Sequence, residues 1–367
     1  MFSRSMLTLI RQFIGSKSEP CFIIDDEIKN EAVVQSVEPM IAHTLLSMSV
    51  DEQNRDKNQE LVYKQIVLFS HHLAAQKELN DLLIPAGITP VVLKGISASY
   101  YYPQPELRVL GDIDILPYPV SDENFDKAKE ILLENGFVES GTTDKRTSFD
   151  KNGVHYELHR HFSQRRTEEQ INLDEYIENS IPQKKTINEY EFYSLPDEVI
   201  GLLYLDHMAQ HLFREGLGLR QIIDWVVYSN NYLSDERWNE SFGKKADTIG
   251  LKQFAQTVDK LGTIYLGGNK HLWSAIADDK ACKELLELVY QVGNFGQKMD
   301  AASSRVTTKI NRQLSKSVSP IKRITQIPYY VGKLVSKKYS VKSVLNGYKE
   351  HRERKKIFEK IGMGNYK

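Results

Sequence analysis

Two aspartates separated by one residue are the chain's strongest indication of chemistry. Residues 111–116 read Gly-Asp-Ile-Asp-Ile-Leu, which places Asp112 and Asp114 inside an apolar run that is typical of a buried strand. Side chains at positions i and i+2 of a strand point to the same face, roughly 7 Å apart at Cα. Both carboxylates can therefore bind one divalent cation or bridge a pair of them. The pattern indicates metal chemistry rather than packing.

Further predicted strands flank this motif. Residues 88–93 are mostly apolar and suit a short buried strand, and residues 154–159 alternate between polar and apolar side chains. The alternation places His155, Glu157 and His159 on one face and three apolar side chains on the other. Helical patterns separate these strands. This order predicts an α+β fold with a small mixed sheet and helices packed on it, followed by a mostly helical domain.

Local signals predict where the elements begin and end. A helical period starts at about Val67 and leads to the first strand, and a second, short helix should follow that strand. Ser121 can cap a later helix, which Asn135 and the following glycine would end. Residues 187–195 predict another strand, and helices dominate residues 196–300.

Three short motifs together carry a resemblance to a known family. They are Leu-Lys-Gly at residues 93–95, Arg-Val-Leu-Gly-Asp-Ile-Asp-Ile-Leu at residues 108–116, and Tyr-Glu-Leu-His at residues 156–159. In this combination the chain resembles the nucleotidyltransferase superfamily with a DNA polymerase beta-like core. It is most similar to the bacterial branch of uncharacterised nucleotidyltransferases with an LKG, R-x-x-GDIDLL, ELH arrangement. The resemblance covers roughly residues 67–230, and later H-x-x-x-H and L-R-x-x-x-D-W pieces also fit it.

The resemblance implies an enzyme that transfers a nucleoside monophosphate from an NTP to a hydroxyl and releases pyrophosphate. ATP is the expected nucleotide, and the acceptor, a small molecule or a protein, is left open. Asp112, Asp114 and Glu157 would be the catalytic residues and would hold Mg²⁺ or Mn²⁺. Three acids on adjacent strands can bracket two ions roughly 4 Å apart, as a two-metal mechanism requires.

A second group of residues is expected to contact the nucleotide. Gly95 lies where a strand turns into a helix, so its bare backbone can approach a phosphate. Lys94 and Ser97 could add a charge and a hydroxyl, although Ile96 replaces the superfamily's commoner glycine or serine. Arg108 could hold a phosphate or pair with an acid near the loop. The predicted nucleotide-binding residues are Lys94, Gly95, Ser97, Arg108, Gly111, His159, His207 and His211.

Two pairs of polar residues lie on the predicted helices that follow the core. His207 and His211 are four apart and share a helix face, so they are expected to pack between domains or to line the nucleotide cleft. Met208 stands where a zinc protease needs glutamate, which disfavours that chemistry. Arg220 and Asp224 are most simply an i,i+4 ion pair within one helix, where they would support the cleft.

Charge is unevenly distributed, although the formal net charge is only -1. Residues 301–367 hold 17 Lys and Arg against 3 Asp and Glu, whereas the preceding 300 residues are strongly acidic. Such a tail favours an anionic partner, which could be nucleic acid, a phosphate or a membrane surface, or it docks on the protein's own acidic body. A nucleic-acid-binding or nucleic-acid-modifying protein is therefore the alternative function, since tyrosines in the tail suit base stacking. A non-catalytic interaction module of the same fold is a third possibility.

Composition restricts the remaining classes. Cys21 and Cys282 are the only cysteines, so the chain has no disulfide framework and no cysteine-based metal pattern. Apolar runs such as residues 199–205 are far shorter than the roughly 20 residues of a membrane span, and we expect a cytoplasmic protein with no signal peptide and no transmembrane segment. The predicted divisions are an N-terminal helical segment (1–66), a nucleotidyltransferase core (67–195), a helical domain (196–300) and a basic, partly helical tail (301–367).

Overall fold

One mixed β-sheet with helices packed around it forms the centre of the protein, which confirms the predicted α+β class. The computed structural model describes residues 4–15, 25–163, 167–214, 216–298 and 354–364. Within these residues the strands are β1 (Thr89–Val92), β2 (Ile113–Tyr118), β3 (Val138–Thr142), β4 (Arg146–Lys151), β5 (Val154–His159), β6 (Gln183–Ile187) and β7 (Tyr190–Ser194).

Helices precede, connect and follow the strands. Those up to the end of the sheet region are α1 (Arg4–Ile14), α2 (Asp26–Val34), α3 (Glu38–Ser47), α4 (Arg55–Leu83), α5 (Ile96–Ser99), α6 (Asp122–Glu134) and α7 (Glu168–Glu178). Those that follow are α8 (Asp197–Arg214), α9 (Leu219–Tyr232), α10 (Asp235–Arg237), α11 (Gly243–Thr248), α12 (Lys252–Leu261) and α13 (Asp279–Val292). The later portion of the chain is mostly helical, as predicted.

The strand order brings the predicted acidic strands together at the centre of the sheet. The order is β3-β4-β5-β2-β1-β7-β6, in which β2 runs parallel to β5 and antiparallel to β1. The register of β2 and β5 places Asp114 opposite Glu157. Because residues opposite each other on neighbouring strands point to the same face, the two acids face the same side of the sheet.

Several predicted boundaries are confirmed. The β5 strand spans all of residues 154–159, and the short helix α5 follows Gly95. Ser121 caps α6 by accepting a hydrogen bond from the Asn124 backbone N–H at 3.1 Å. That helix ends at Glu134, directly before the predicted stop.

Three stretches differ from the prediction. The strand expected at residues 187–195 is confirmed only for β7, because Asn188, with a φ of 54°, turns the chain there into the β6–β7 hairpin. The β3–β4 hairpin was not predicted, since β3 is exposed along its whole length and therefore carries no apolar period. Helix α4 begins at Arg55 rather than near Val67, so it continues through the division expected between residues 66 and 67. The division itself stays a prediction.

The two faces of the central strands have different surroundings. Ile113 and Ile115 of β2, with Tyr156 and Leu158 of β5, pack into an apolar cluster with α4 and α6. The intervening position of β2, Asp114, points to the opposite face, which borders a cavity. The period-two pattern thus anchors the strands on one face and leaves polar side chains for the other.

The N-terminal helices position the later helices. Ile10 of α1 and Met40 of α3 belong to the same apolar cluster as Trp225 of α9. Gln35 accepts a hydrogen bond from the Leu219 backbone N–H at 2.9 Å, at the first residue of α9. The start of α9 is therefore fixed by contacts from a distant part of the chain.

Most of the basic tail lies outside the described residues, so the predictions about its partners and its amphipathic stretch stay predictions. Residues 354–360 are helical, and Phe358 stacks against Phe213 of α8 with ring centroids 6.0 Å apart. Among the described residues, no helix combines the length and the apolar character that crossing a membrane requires. The cytoplasmic location remains an expectation.

Candidate functional site

Two acids and a histidine form a compact group at the centre of the sheet. Asp114, Glu157 and His159 are all buried, with exposed fractions of 0%, 5% and 4%. Nε2 of His159 lies 2.9 Å from Oδ1 of Asp114 and 3.5 Å from Oε2 of Glu157. One ligand atom from each residue lies within 4.8 Å of the others, so the group can hold a metal ion.

Asp112 lies directly before β2, and its half-buried side chain borders the same cavity as Asp114. The sequence predicts both acids on a strand, whereas the strand begins only at Ile113. Asp112 is therefore placed by the loop that enters β2, while Asp114 is fixed by strand pairing. It is not part of the three-residue ligand group, although its charge acts on Lys94.

Basic side chains neutralise the buried acids. Nζ of Lys94 lies 3.1 Å from Oδ2 of Asp114, and Nη1 of Arg146 donates to Oε2 of Glu157 at 2.5 Å. Burial alone would raise the pKa of Asp114, but the charges of Lys94 and His159 hold it below its ordinary value. Burial opposes the charge of Lys94 in turn, yet the three surrounding acids raise its pKa. Both groups are therefore charged at neutral pH.

The turn after β1 brings the backbone close to the acids. Gly95 has a φ of 66°, a conformation that side-chain-bearing residues rarely adopt, and a Cβ there would lie 3.6 Å from the Asp112 carbonyl oxygen. Gly95 and Gly111 both line the cavity. Ser97 does not, because it is fully buried and its hydroxyl lies 2.8 Å from the hydroxyl of Tyr204. The structure thus brings together the glycines of the predicted nucleotide-binding set and leaves Ser97 in the packing between α5 and α8.

Arg108 pairs with an acid, which is one of the two roles considered for it. Its Nε and Nη2 each donate to the Asp224 carboxylate at 2.7 Å, and the Tyr102 hydroxyl donates to the same carboxylate at 2.6 Å. Burial would lower the pKa of Arg108, but Asp224 raises it above the usual value. The expected ion pair between Arg220 and Asp224 is not formed, because Asp224 is occupied by Arg108 and Nη1 of Arg220 donates to the Val109 carbonyl at 2.7 Å.

His207 and His211 lie on α8 across the cavity from the sheet, as the cleft-lining role predicts. Their Nε2 atoms are 2.9 Å apart, and burial, followed by the neighbouring His211 and Lys94, lowers the pKa of His207 well below its ordinary value. The imidazole of His207 is therefore neutral at pH 7. The ring of Phe295 packs edge-on against His211 with centroids 4.8 Å apart, and Phe295 is 47% exposed.

These side chains enclose a cavity of about 560 Å³. We call one side the sheet wall, formed by Lys94, Asp112, Asp114, Arg146, Glu157 and His159. We call the opposite side the helical wall, formed by His207, His211, Arg220, Asn294 and Phe295. Cavities of roughly 300–1,000 Å³ that combine apolar and a few convergent polar groups are typical of small-molecule sites. The cavity is large enough for a nucleotide.

Three residues of the two walls, Arg146, Asn294 and Phe295, were missed by the sequence analysis. Arg146 lies on β4, where Thr147 and Phe149 are buried and alternate with Arg146 and Ser148, so a period-two signal was present. Phe295 follows α13 in a turn with a φ of 52°, and no local pattern marks it as a cavity residue.

Comparison with known proteins agrees with this geometry. No curated protein and no solved structure matches the chain significantly. The family model described as uncharacterised nucleotidyltransferase matches residues 25–261, which include both walls except for the residues after α13. This match begins earlier and ends later than the region that the motifs cover. The chain belongs to this family of uncharacterised nucleotidyltransferases.

Proposed function

We propose that the protein transfers a nucleoside monophosphate from an NTP to a hydroxyl of a small molecule or protein and releases pyrophosphate. The observation that carries this proposal is the placement of Asp114 and Glu157 at opposed positions of two parallel strands, facing the cavity. Asp112 adds a third carboxylate at its edge. Family membership supports the class of reaction.

A divalent cation, Mg²⁺ or Mn²⁺, fits the sheet wall. Oδ2 of Asp114 is buried, and the ammonium group of Lys94 is the cation beside it. Lys94 occupies the kind of position that a metal ion would take, and three oxygen or nitrogen ligands converge there. Asp112, Asp114 and Glu157 would hold the ions, which neutralise charge on the attacking and leaving oxygens of a phosphoryl transfer.

The reaction assigns separate tasks to the residues of the sheet wall. The acceptor oxygen forms a bond to the α-phosphorus, the bond from that phosphorus to the bridging oxygen of the β-phosphate breaks, and pyrophosphate leaves with the electron pair. Glu157 would accept the proton that the acceptor hydroxyl loses. His159 holds the two carboxylates in position through its Nε2 contacts. Lys94 pairs with Asp114 here, and it would be available to the phosphates if a cation took over that carboxylate.

The part of the helical wall formed by His207, His211 and Phe295 suits the uncharged part of the nucleotide. His207 has a lowered pKa and is neutral, and the exposed ring of Phe295 offers an aromatic surface. Aromatic side chains stack on nucleobases with little dependence on which base is present. His207 and His211 are therefore proposed to line the base end of the cavity, with ATP as the expected nucleotide.

Calorimetric titration of the four NTPs, with Mg²⁺ or Mn²⁺, tests the proposal without knowledge of the acceptor. The wild type is compared with the double variant Asp112→Asn, Asp114→Asn. A matched control is Asp122→Asn, Asp126→Asn, because these two acids lie on α6 and pair with Arg160 at the surface.

Metal-dependent binding of an NTP that the cavity variant loses and the control retains supports the proposal. It would also identify the nucleotide and justify a screen of acceptors by pyrophosphate release. Binding of no NTP by the wild type contradicts it.

A further inference from the structure

One arginine of the helical wall forms no ion pair within the described part of the chain. Arg220 lies in the first turn of α9 and borders the cavity. Its guanidinium has one hydrogen bond within the described residues, from Nη1 to the Val109 carbonyl oxygen. Its Nε is buried and has no acceptor there. A guanidinium carries five N–H donors, so most of its donor capacity is left over.

The nearby acids Asp224 and Asp112 act on Arg220 only from a distance, and neither forms an ion pair with it. Asp224 is engaged by two donors of Arg108 and by the Tyr102 hydroxyl. Burial raises the pKa of Glu38 of α3, which favours its neutral carboxyl form. The charge of Arg220 lowers that pKa, but its effect is smaller than that of burial. Among the residues that the structure describes, no carboxylate lies within 4.0 Å of the Arg220 guanidinium.

Arg220 is partly buried, which makes its charge costly to maintain. Burial and the neighbouring Arg108 outweigh the opposing charges of Asp224 and Asp112 and lower the pKa of Arg220 to about 10. The guanidinium is therefore charged at neutral pH, but less favourably than in water. Buried charges in proteins are normally paired, since an unpaired one forfeits its hydration without compensation. An arginine retained in this state beside a ligand-sized cavity is a candidate binding group.

We propose that Arg220 binds the polyphosphate of the nucleotide. This assignment rests on the proposed function and names the residue that recognises the charged part of its substrate. The planar guanidinium matches two phosphate oxygens at once, and such charge-assisted pairs are among the stronger hydrogen bonds in proteins. Arg108, for which the sequence left a phosphate-binding role open, is occupied by Asp224. The bound phosphates would supply the anionic partner that Arg220 lacks within the described residues.

Inorganic tripolyphosphate without metal is the probe, because it carries the charge of the substrate without its base and does not need the carboxylates. Its affinity, and that of the NTP with Mg²⁺, is measured by calorimetry for the wild type and for Arg220→Gln. The matched control is Arg237→Gln, since Arg237 also donates to a backbone carbonyl, that of Tyr232 at 2.7 Å, but is exposed and away from the cavity.

A glutamine side chain cannot form a charged pair, so tripolyphosphate binding to the Arg220→Gln variant should weaken by about 10- to 100-fold, the scale of one or two charge-assisted hydrogen bonds. The Arg237→Gln variant should bind like the wild type. Equal affinity of the Arg220→Gln variant and the wild type, or no binding of tripolyphosphate to the wild type, overturns the assignment.

Two further outcomes separate this assignment from the proposed function. If tripolyphosphate binding depends on Arg220 but no NTP binds, the anion site stands and the nucleotidyltransferase proposal fails. If NTP binding needs the acids but not Arg220, the nucleotidyltransferase proposal stands and the assignment of Arg220 fails. Should Arg220→Gln fail to fold, Arg220→Lys keeps the charge without the planar fork and should bind tripolyphosphate about 10-fold more weakly; unchanged affinity overturns the assignment.

Discussion

The sheet wall and the helical wall of the cavity satisfy their charges in opposite ways. On the sheet wall, Asp114 faces Lys94 and Glu157 faces Arg146, so each buried acid has a cation. On the helical wall, His207 has a lowered pKa and is neutral, and Arg220 forms no ion pair among the described residues. The two buried acids of the sheet wall are thus paired without a ligand, whereas the arginine of the helical wall is not paired among the described residues.

This difference separates two tasks of a binding site. A wall whose charges are already paired holds its side chains in fixed positions, which is what a reaction centre needs. A wall with an unpaired cation gains a partner only when an anion enters, which is what recognition needs. Arg108 and Arg220 show the contrast within one cluster. Both donate to the Val109 carbonyl, but within the described part of the chain only Arg108 has a carboxylate.

The largest effect is expected on the sheet wall. Asp114→Asn should reduce nucleotide transfer by about 10³-fold, the upper range for removing one electrostatic stabiliser of a transition state. The neutral amide attracts Lys94 and a divalent cation much more weakly than the carboxylate does. Pyrophosphate release is measured with Mg²⁺ and the NTP that the wild type binds. Activity within a fewfold of the wild type, with Asp122→Asn as the control, would remove Asp114 from the reaction centre.

Breaking the Arg108 pair should strongly destabilise the fold. Arg108→Gln leaves the buried Asp224 carboxylate without its two guanidinium bonds, and removing one partner of a buried pair costs about 3–5 kcal/mol. Denaturant unfolding measures this loss. The double variant Arg108→Met, Asp224→Leu should be less destabilised than the single variant, because no unpaired charge remains. A loss for Arg108→Gln below about 1 kcal/mol would contradict the interpretation of Arg108 as a structural residue.

Arg220→Gln should behave differently in the same unfolding experiment. Because Arg220 leaves no carboxylate unpaired among the described residues, its removal should leave the free energy of unfolding within about 1 kcal/mol of the wild type, or raise it. Saturating tripolyphosphate, at about 100 times its dissociation constant, should stabilise the wild type by about 2.7 kcal/mol and the variant by less. A loss as large as that of Arg108→Gln would erase the contrast between the two arginines.

The smallest effect concerns two histidines with opposite pKa shifts. Burial lowers the pKa of His207, so the unfolded chain takes up a proton first and stability falls as the pH drops below about 6.5. Burial would also lower the pKa of His271, but Asp259, whose Oδ2 lies 2.9 Å from Nδ1 of His271, raises it. The stability that the His271–Asp259 pair contributes is fully present below about pH 6.5 and is lost as the pH rises through the raised pKa of His271.

Unfolding measured across about pH 5–8 distinguishes the two histidines. His207→Gln should reduce the loss of stability on the acid side, and His271→Gln should reduce the loss on the alkaline side. Parallel changes in the two variants would show that these histidines do not differ as their surroundings indicate.

Local patterns were sufficient for the centre of the site. The apolar run around Asp114 and the alternation around Glu157 predicted acids on neighbouring strands, because side-chain direction in a strand depends only on position along it. Asp112, predicted on the same strand as Asp114, lies in the loop before it. The β3 strand was not predicted, because all its residues are exposed and the sequence therefore shows no alternation of apolar and polar side chains. The α4 helix likewise extended past its predicted start, because its first turns lack a regular apolar period.

The sequence by itself identified the acids and the glycine at the turn after β1 as candidate site residues. It also determined the predicted fold class and the family resemblance. All of these rest on residue types at short spacing, which follow from backbone geometry. Tertiary structure alone decided that Asp224 pairs with Arg108, 116 residues away, rather than with Arg220 on its own helix, and that Ser97 meets Tyr204 instead of the cavity. These pairings depend on which distant elements pack together. A carboxylate that forms an ion pair with a residue distant in sequence is no longer available to a nearby residue on its own helix.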